Sequence, residues 1–407
     1  MNCRHCAGEL KHSFMDLGFA PPSNAYLSPK DLTRPERYYP LRTVVCTNCW
    51  LVQTEDYADA GELFDAEYSY FSSTSTSWLA HAAKFAERMI NDFKLHQDSF
   101  VIEIASNDGY LLKNFVAASI PCLGIEPTAS TAAAAERLGV PVWREFFGEQ
   151  LGKKLASDGK QADLIVANNV YAHVPDINDF TRGIKAALKA GGTITIEFPH
   201  LMRLIEFTQF DTIYHEHFSY LSLFTACAIF KAAALRIWHV EELATHGGSL
   251  RIFGCHQEDR RGDTQAVSEI LREEVVRGMR EIFTYTAFQR RADRVKDDLV
   301  EFLIDQKRAE KTVLAYGAAA KGNTLLNYAG IKTDLIRFVC DAAPAKQGKY
   351  LPGSHLPILP PKALAKPRPD YVLILPWNIA GEVKTQLREL AVQGTRFVTA
   401  VPKLEIA

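Results

Sequence analysis

The stretch EIASNDGYLL, residues 103–112, decides how this chain is read. It closes a β-branched run, SFVIEIAS (99–106), passes through the polar turn Asn107-Asp108-Gly109, and continues into leucines at the start of a helix pattern. Strand, tight turn and helix in that order are the opening of an α/β unit. The runs that follow, PCLGIEP (121–127), ADLIVANN (162–169) and GTITIEFP (192–199), alternate with helix-like stretches at 128–139 and 177–192. A parallel sheet wrapped by helices is the expected core, and a last strand-like run, GGSLRIFGC (247–255), closes the region.

In such sheets ligands bind at the carboxyl ends of the strands. The second strand ends in Glu126, a carboxylate placed to take the two hydroxyls of a ribose, so a nucleoside cofactor is expected. NAD and S-adenosylmethionine both fit that far. No second glycine stands near Gly109 and no G-x-G-x-x-G is present, although a pyrophosphate needs that close backbone approach. S-adenosylmethionine carries no phosphate, and the Asn107-Asp108-Gly109 turn can hold its amino-acid part through polar groups. The bland alternative is a plain strand-to-helix turn, which the partner Glu126 argues against.

Outward from this core, the chain begins with two C-x2-C pairs, Cys3/Cys6 and Cys46/Cys49, whereas Cys122, Cys227, Cys255 and Cys340 stand singly. Two thiolates from one tight turn grip a single Zn2+, and two such turns complete a tetrahedron with no open position, so the expected role is structural. His5 is a possible substitute ligand, with an ordinary surface histidine as the plainer reading. Beyond the core, a charged helical connector leads into KTVLAYGAAAKGNTLLNYAG (311–330), LIRFVCD (335–341), DYVLILPWN (370–378) and RFVTAVP (396–402), a second Rossmann-like unit. Expected boundaries are 1–66 for the zinc-binding domain, 67–262 for a class I methyltransferase domain, 263–310 for the connector and 311–407 for the C-terminal unit.

The 407 residues are 47% hydrophobic and 23% charged, enough for more than one core. Lys and Arg number 46 against 48 for Asp and Glu, with a formal charge of −2, so nucleic acid and anionic membrane are not expected partners. No apolar stretch is long enough to span a bilayer, and the expected location is cytoplasmic, as a monomer.

FDTIYHEHFSY (210–220) crowds Tyr214, His215, Glu216 and His217 together. The H-E-x-x-H spacing of zincins is missing, so a metal is not the reason. Removing a proton beside a ketone calls for a base such as neutral imidazole, and a phenol or second imidazole can hydrogen-bond the resulting enolate. The GAAAKG loop has Asn323 where a P-loop has its lysine, which argues against NTP hydrolysis. Its amides and Lys321 still suit a diphosphate, with a purely structural turn as the alternative. Asp341 could meet a nucleoside ribose, and Trp377 or Asn378 ends a strand facing the same cleft.

Taken in order, the cysteine knuckles, EIASNDGYLL, IEP, NNVYAHVPD, YHEHFSY and GAAAKG resemble the sugar C-methyltransferases over essentially the whole chain. That resemblance implies transfer of methyl from S-adenosylmethionine to C-3 of a dTDP-4-keto-deoxysugar. It implies donor contacts from Ser106, Asn107, Asp108, Gly109, Glu126 and Asn169, and nucleotide-sugar contacts from Lys321, Asn323 and Asp341. It makes His217 the base, sets Tyr214 and His215 near the enolate, and gives Glu216 the sugar or a histidine to orient. His173 and Tyr68 match further active-site positions, with Tyr70 competing for the latter. The rival functions are an O- or N-methyltransferase on a similar sugar, a two-Rossmann oxidoreductase, and a zinc-knuckle binding module.

Overall fold

The computed structural model describes residues 1–56, 72–74 and 76–407. Tyr68 and Tyr70 therefore lie outside the described residues. Three sheets organise the rest.

The first sheet starts with β1 (His12–Ala20), β2 (Tyr39–Val45) and β3 (Val52–Thr54), an antiparallel meander in which β2 alternates buried and half-exposed side chains from Pro40 onward and β3 is buried throughout. The central sheet follows with β4 (Val101–Ile104), β5 (Cys122–Ile125), β6 (Val142–Trp143), β7 (Ala162–Asn168) and β8 (Leu188–Pro199), all parallel. These short runs are buried on both faces, which is why they read as continuous β-branched stretches with no alternation. The chain then returns to the first sheet, where β9 (Ser219–Tyr220) pairs with β3. It comes back to the central sheet as β10 (Leu235–Leu243) and β11 (Ser249–His256).

The central order is β10-β11-β8-β7-β4-β5-β6, with β11 antiparallel to both neighbours. The expected parallel α/β core is present, extended by an antiparallel pair of which only the second strand was legible. From Gln265 to Arg308 the connector is helical in three segments, Gln265–Val276, Ile282–Thr286 and Phe288–Arg308. The third sheet has β12 (Val313–Tyr316), β13 (Val339–Cys340), β14 (Ile358–Leu359), β15 (Tyr371–Ile374), β16 (Arg396–Thr399) and β17 (Glu405–Ile406). Its order is β14-β13-β12-β15-β16-β17, parallel except for the last strand.

Two shared cores tie the units together. Phe14 of β1 stacks on Phe288 of the connector with ring centroids 4.5 Å apart, in a cluster that also takes in Leu325 and Leu373 of the C-terminal unit. Both rings are essentially inaccessible, so Phe14→Ala would cost ~3–5 kcal/mol. A second cluster joins Cys3, Cys46 and Cys49 to the face of the central sheet through Phe198, Leu223 and Ala226. No helix among the described residues is long and apolar enough to cross a membrane.

Candidate active site

The two cysteine pairs fold into matching knuckles. Cys3 N–H donates to Gly8 O and Ala7 N–H to Cys3 O; likewise Cys46 N–H donates to Leu51 O and Trp50 N–H to Cys46 O. Each knuckle closes on a left-handed residue, Ala7 at φ 59° and Trp50 at φ 60°. All four Sγ atoms lie within 4.8 Å of one another. Four sulfurs at that separation fit one tetrahedral Zn2+ and leave no position for substrate. His5 is not part of it: its Nδ1 meets Asn178 Oδ1 at 2.8 Å, on the helix Ile177–Ala187.

The turn after β4 is built around positive φ: Ala105 at 57°, Asn107 at 49° and Gly109 at 77°. A Cβ on Gly109 would come within 3.0 Å of Ala135 Cβ, so glycine is required there both by dihedral and by packing. Glu126 locks the turn, accepting Asn107 N–H at 3.0 Å on one oxygen and Thr128 N–H at 2.9 Å on the other. Asn107 Oδ1 and Asp108 Oδ2 accept the N–H groups of Ser72 (2.9 Å) and Ser73 (3.1 Å), which ties the segment entering the helix Thr76–Asp92 onto this turn. Ser106 Oγ and Asp108 Oδ1 remain buried without partners. Asn169, at φ 54°, ends β7 nearby with its N–H on Glu197 O at 2.8 Å.

Sequence reasoning passed over two neighbours here. Asn168 is buried with an unpartnered Oδ1, and Glu103 inside β4 is wholly buried, its carboxyl pushed well above the usual range by that burial. An acid within an apolar strand leaves no periodic trace beyond one charged letter.

YHEH forms a turn, with Tyr214 O accepting His217 N–H at 2.9 Å. His217 directs Nδ1 at the carbonyl of Thr212, 2.9 Å away. A carbonyl only accepts, so Nδ1 carries the proton and Nε2 is the basic nitrogen. The ring lies 3.9 Å from that of Tyr214 and 4.5 Å from that of His173 by centroid. Burial, then the nearby His173, hold the His217 imidazole well below its ordinary pKa, so it is neutral at physiological pH. His173 follows the same pattern: Nδ1 meets Glu216 O at 2.8 Å, and burial lowers it to about 4. A cavity lined by Thr212, Tyr220 and Ala172 adjoins His217.

The other two members of the box face the first sheet and its loops. His215 packs edge-on to Tyr39 of β2 at 6.0 Å, against the backbone of Tyr39 and Pro40. Glu216 is buried, accepts Asn24 Nδ2 at 3.3 Å, keeps Oε2 without a partner, and has its carboxyl raised by burial.

On the C-terminal side, Gly317 at φ 93° presses on Pro376, where a Cβ would meet the proline ring at 2.3 Å. Asp341 accepts Ala318 N–H and Ala343 N–H, each at 2.7 Å. Lys321 donates to Asn378 Oδ1 at 2.8 Å and lies 4.6 Å above the Trp377 ring. Asn323 is fully buried toward Ser23, with Oδ1 unpartnered. Thr324 Oγ1 donates to Ile213 O at 3.1 Å, so this helix is fastened directly to the YHEH segment. The structure thus brings together His217, Tyr214, His173 and the Lys321 helix.

Family models match along the chain: a zinc binding domain at residues 3–64, a methyltransferase domain at 68–240 and a C-methyltransferase C-terminal domain at 244–402. The C-methyltransferase NovU of Streptomyces niveus is 34% identical over 401 residues, covering 98% of this chain and 95% of that protein. This chain belongs to the S-adenosylmethionine-dependent C-methyltransferases. Among solved structures, magnesium protoporphyrin IX methyltransferase of Synechocystis with bound SAM is 11% identical, over 43% of this chain and 78% of that one, at a TM-score of 0.33. The YcgJ protein of Bacillus is 13% identical over 44% and 99%, at 0.35. Neither superposition bears on function. The residues around this turn fit the cofactor of a C-methyltransferase: the Glu126 carboxylate at the end of β5, buried oxygens on Ser106 and Asp108 that have no partner among the described residues, and no glycine-rich phosphate cradle.

Proposed function

We propose that this C-methyltransferase acts on C-3 of a dTDP-4-keto-deoxysugar, with His217 as the base. The observation that carries the reading is the fixed tautomer of His217, whose Nδ1–H is bound to Thr212 O so that the basic Nε2 is free for substrate. A low imidazole pKa keeps that nitrogen unprotonated at neutral pH, which suits a base that must be available on every turnover.

Bound S-adenosylmethionine supplies an electrophilic methyl. The chain does the rest. Ser106, Asn107, Asp108, Gly109, Glu126 and Asn169 seat the donor at the carboxyl ends of β4, β5 and β7. His217 Nε2 takes the C-3 proton, the electrons move onto the C-4 oxygen, and Tyr214 donates a hydrogen bond to that enolate. His173 shapes the same wall. Glu216 holds a sugar hydroxyl, and His215 seats the turn against Tyr39. Asp341 takes the nucleoside ribose, while Lys321 and Asn323, with the amides of their helix Ala320–Tyr328, take the diphosphate.

An O- or N-methyltransferase needs a base but no enolate stabiliser, so the two readings part on Tyr214. The direct test is to incubate the enzyme with methyl-labelled S-adenosylmethionine and a panel of nucleotide-linked 4-ketosugars, then locate the label by NMR. Label on C-3 of a dTDP-sugar is expected. Label on oxygen or nitrogen, or transfer only to sugars on other nucleotides, overturns the corresponding part of the reading.

A further inference from the structure

Asp211 lies in the short 3-10 turn Phe210–Thr212 and is completely buried. Its Oδ2 accepts the indole N–H of Trp377 at 2.7 Å, and its Oδ1 is buried with no partner. The same indole carries the Lys321 ammonium over its face. On the other side, the next residue, Thr212, offers the carbonyl that fixes His217. One three-residue turn therefore reaches both the imidazole base and the cation of the C-terminal unit.

Holding an indole N–H does not call for a charge. An amide or backbone carbonyl would do so without the penalty of leaving a carboxylate oxygen unsatisfied in the interior. Lys321 accounts for the carboxylate. Burial draws its ammonium down, and the charge that opposes this is Asp211. The other titratable groups that feel Lys321 are His217 and His246, both kept neutral by burial, so neither competes as a cation.

We propose that Asp211 is a positioning residue for Lys321: it supplies the counter-charge that keeps the ammonium protonated and, through Trp377, holds it toward the anionic group of the substrate. The inference rests on the assignment of Lys321 to the diphosphate.

The test is calorimetric binding of thymidine diphosphate to the full-length zinc-loaded enzyme at about pH 7.5 and about pH 9.5, both above the terminal phosphate of the ligand and above Asp211, which burial raises to about 6, with donor affinity measured on the same samples as a check of the fold. Wild type is expected to bind equally at both. Asp211→Asn keeps an acceptor for Trp377 but not the charge, and its affinity should fall by up to about tenfold per pH unit once the lysine deprotonates. Adding Lys321→Arg, whose guanidinium stays charged, should remove that dependence. Trp377→Phe keeps the charge but frees it from the indole, and should weaken binding at both pH values by roughly fivefold. A flat Asp211→Asn profile, persistence of its slope with arginine, or an unchanged Trp377→Phe overturns the inference. If Lys321→Met leaves binding untouched at both pH values, the diphosphate assignment falls with it; if Lys321→Met weakens binding while Asp211→Asn does not, the role of Asp211 alone is refuted.

Discussion

Glu126 and Asp341 occupy the same place in two different sheets. Each follows the second strand of its unit and donates its own N–H to the next strand over, Glu126 to Trp143 O and Asp341 to Leu359 O, both at 3.0 Å. Each carboxylate then accepts one N–H from the turn after the first strand, Asn107 or Ala318, and one from two residues ahead, Thr128 or Ala343. The device fixes an acid and a turn together at the ligand end of a parallel sheet. Two nucleoside-shaped ligands could be served by it, one per unit.

The pair gives a crossed prediction. Glu126→Gln is expected to weaken S-adenosylmethionine binding by roughly ten- to a hundredfold, the loss of a ~1.5–3 kcal/mol charge-assisted contact, and to leave thymidine diphosphate binding unchanged. Asp341→Asn is expected to do the reverse. Calorimetry with both ligands on both variants checks this, and parallel loss of both affinities in either variant contradicts separate sites.

Removing the base is expected to stop chemistry without unseating ligands. His217→Gln should lower kcat by about 10²–10⁴ while both ligands still bind. Near-normal turnover would move the role to His173, whose Nδ1 is held by Glu216 O in the same way.

Tyr214→Phe separates enolate stabilisation from substrate binding. A hydroxyl that acts on the developing oxyanion should cost roughly 10–100-fold in kcat with KM for the sugar little changed. A rise in KM alone would make it a ground-state contact.

Acid should destabilise the fold through its buried imidazoles. Burial holds His173 at about 4 and keeps His215, His217 and His246 below the ordinary value of 6.5. Below about pH 6.5 the unfolded chain binds protons that the folded chain refuses, so stability is full above that pH and falls as pH drops toward 4. Thermal unfolding at pH 7 and pH 5 should show a marked drop in Tm, shallower in His173→Gln. An equal drop in both proteins would place the loss elsewhere.

The zinc is expected to support folding and no chemistry. Cys46→Ser should release the metal, and a loss of ~3 kcal/mol would lower Tm by roughly 3–4 °C in a chain of this length. Metal analysis and melting curves on the same preparation check it. A zinc-free variant with an unchanged Tm would contradict a structural role.

Local chemistry was the legible part of this molecule. The C-x2-C pairs carried their spacing on the surface of the sequence, and Asn107-Asp108-Gly109 announced a turn that only such residues tolerate. What escaped were partnerships made across the chain. Nothing near Asp211 points to Trp377, and nothing in LRIWHVEEL (235–243) marks it as the edge strand β10, because half of its positions are partly open and its partner is antiparallel. His5 shows the converse: adjacent to cysteines in sequence, it is drawn instead to Asn178. The charged connector read simply as helical, but its break at residues 277–281 and the short segment Ile282–Thr286 go with Tyr285 turning inward to donate to Met279 O.

The pairing of β3 with β9 has a consequence for how the protein is made. On the side of β3 turned away from β2, Val52 and Gln53 pair with Tyr220 and Ser219, three and two residues beyond His217. A nascent chain can close its cysteine knuckles as soon as Cys49 has left the ribosome, but its first sheet keeps a bare edge until most of the central domain has emerged. That edge is capped by the very segment that carries His217. Translation therefore completes the N-terminal unit and poises the imidazole in a single event, and a chain stalled before Ser219 would carry a metal-loaded but open-edged sheet.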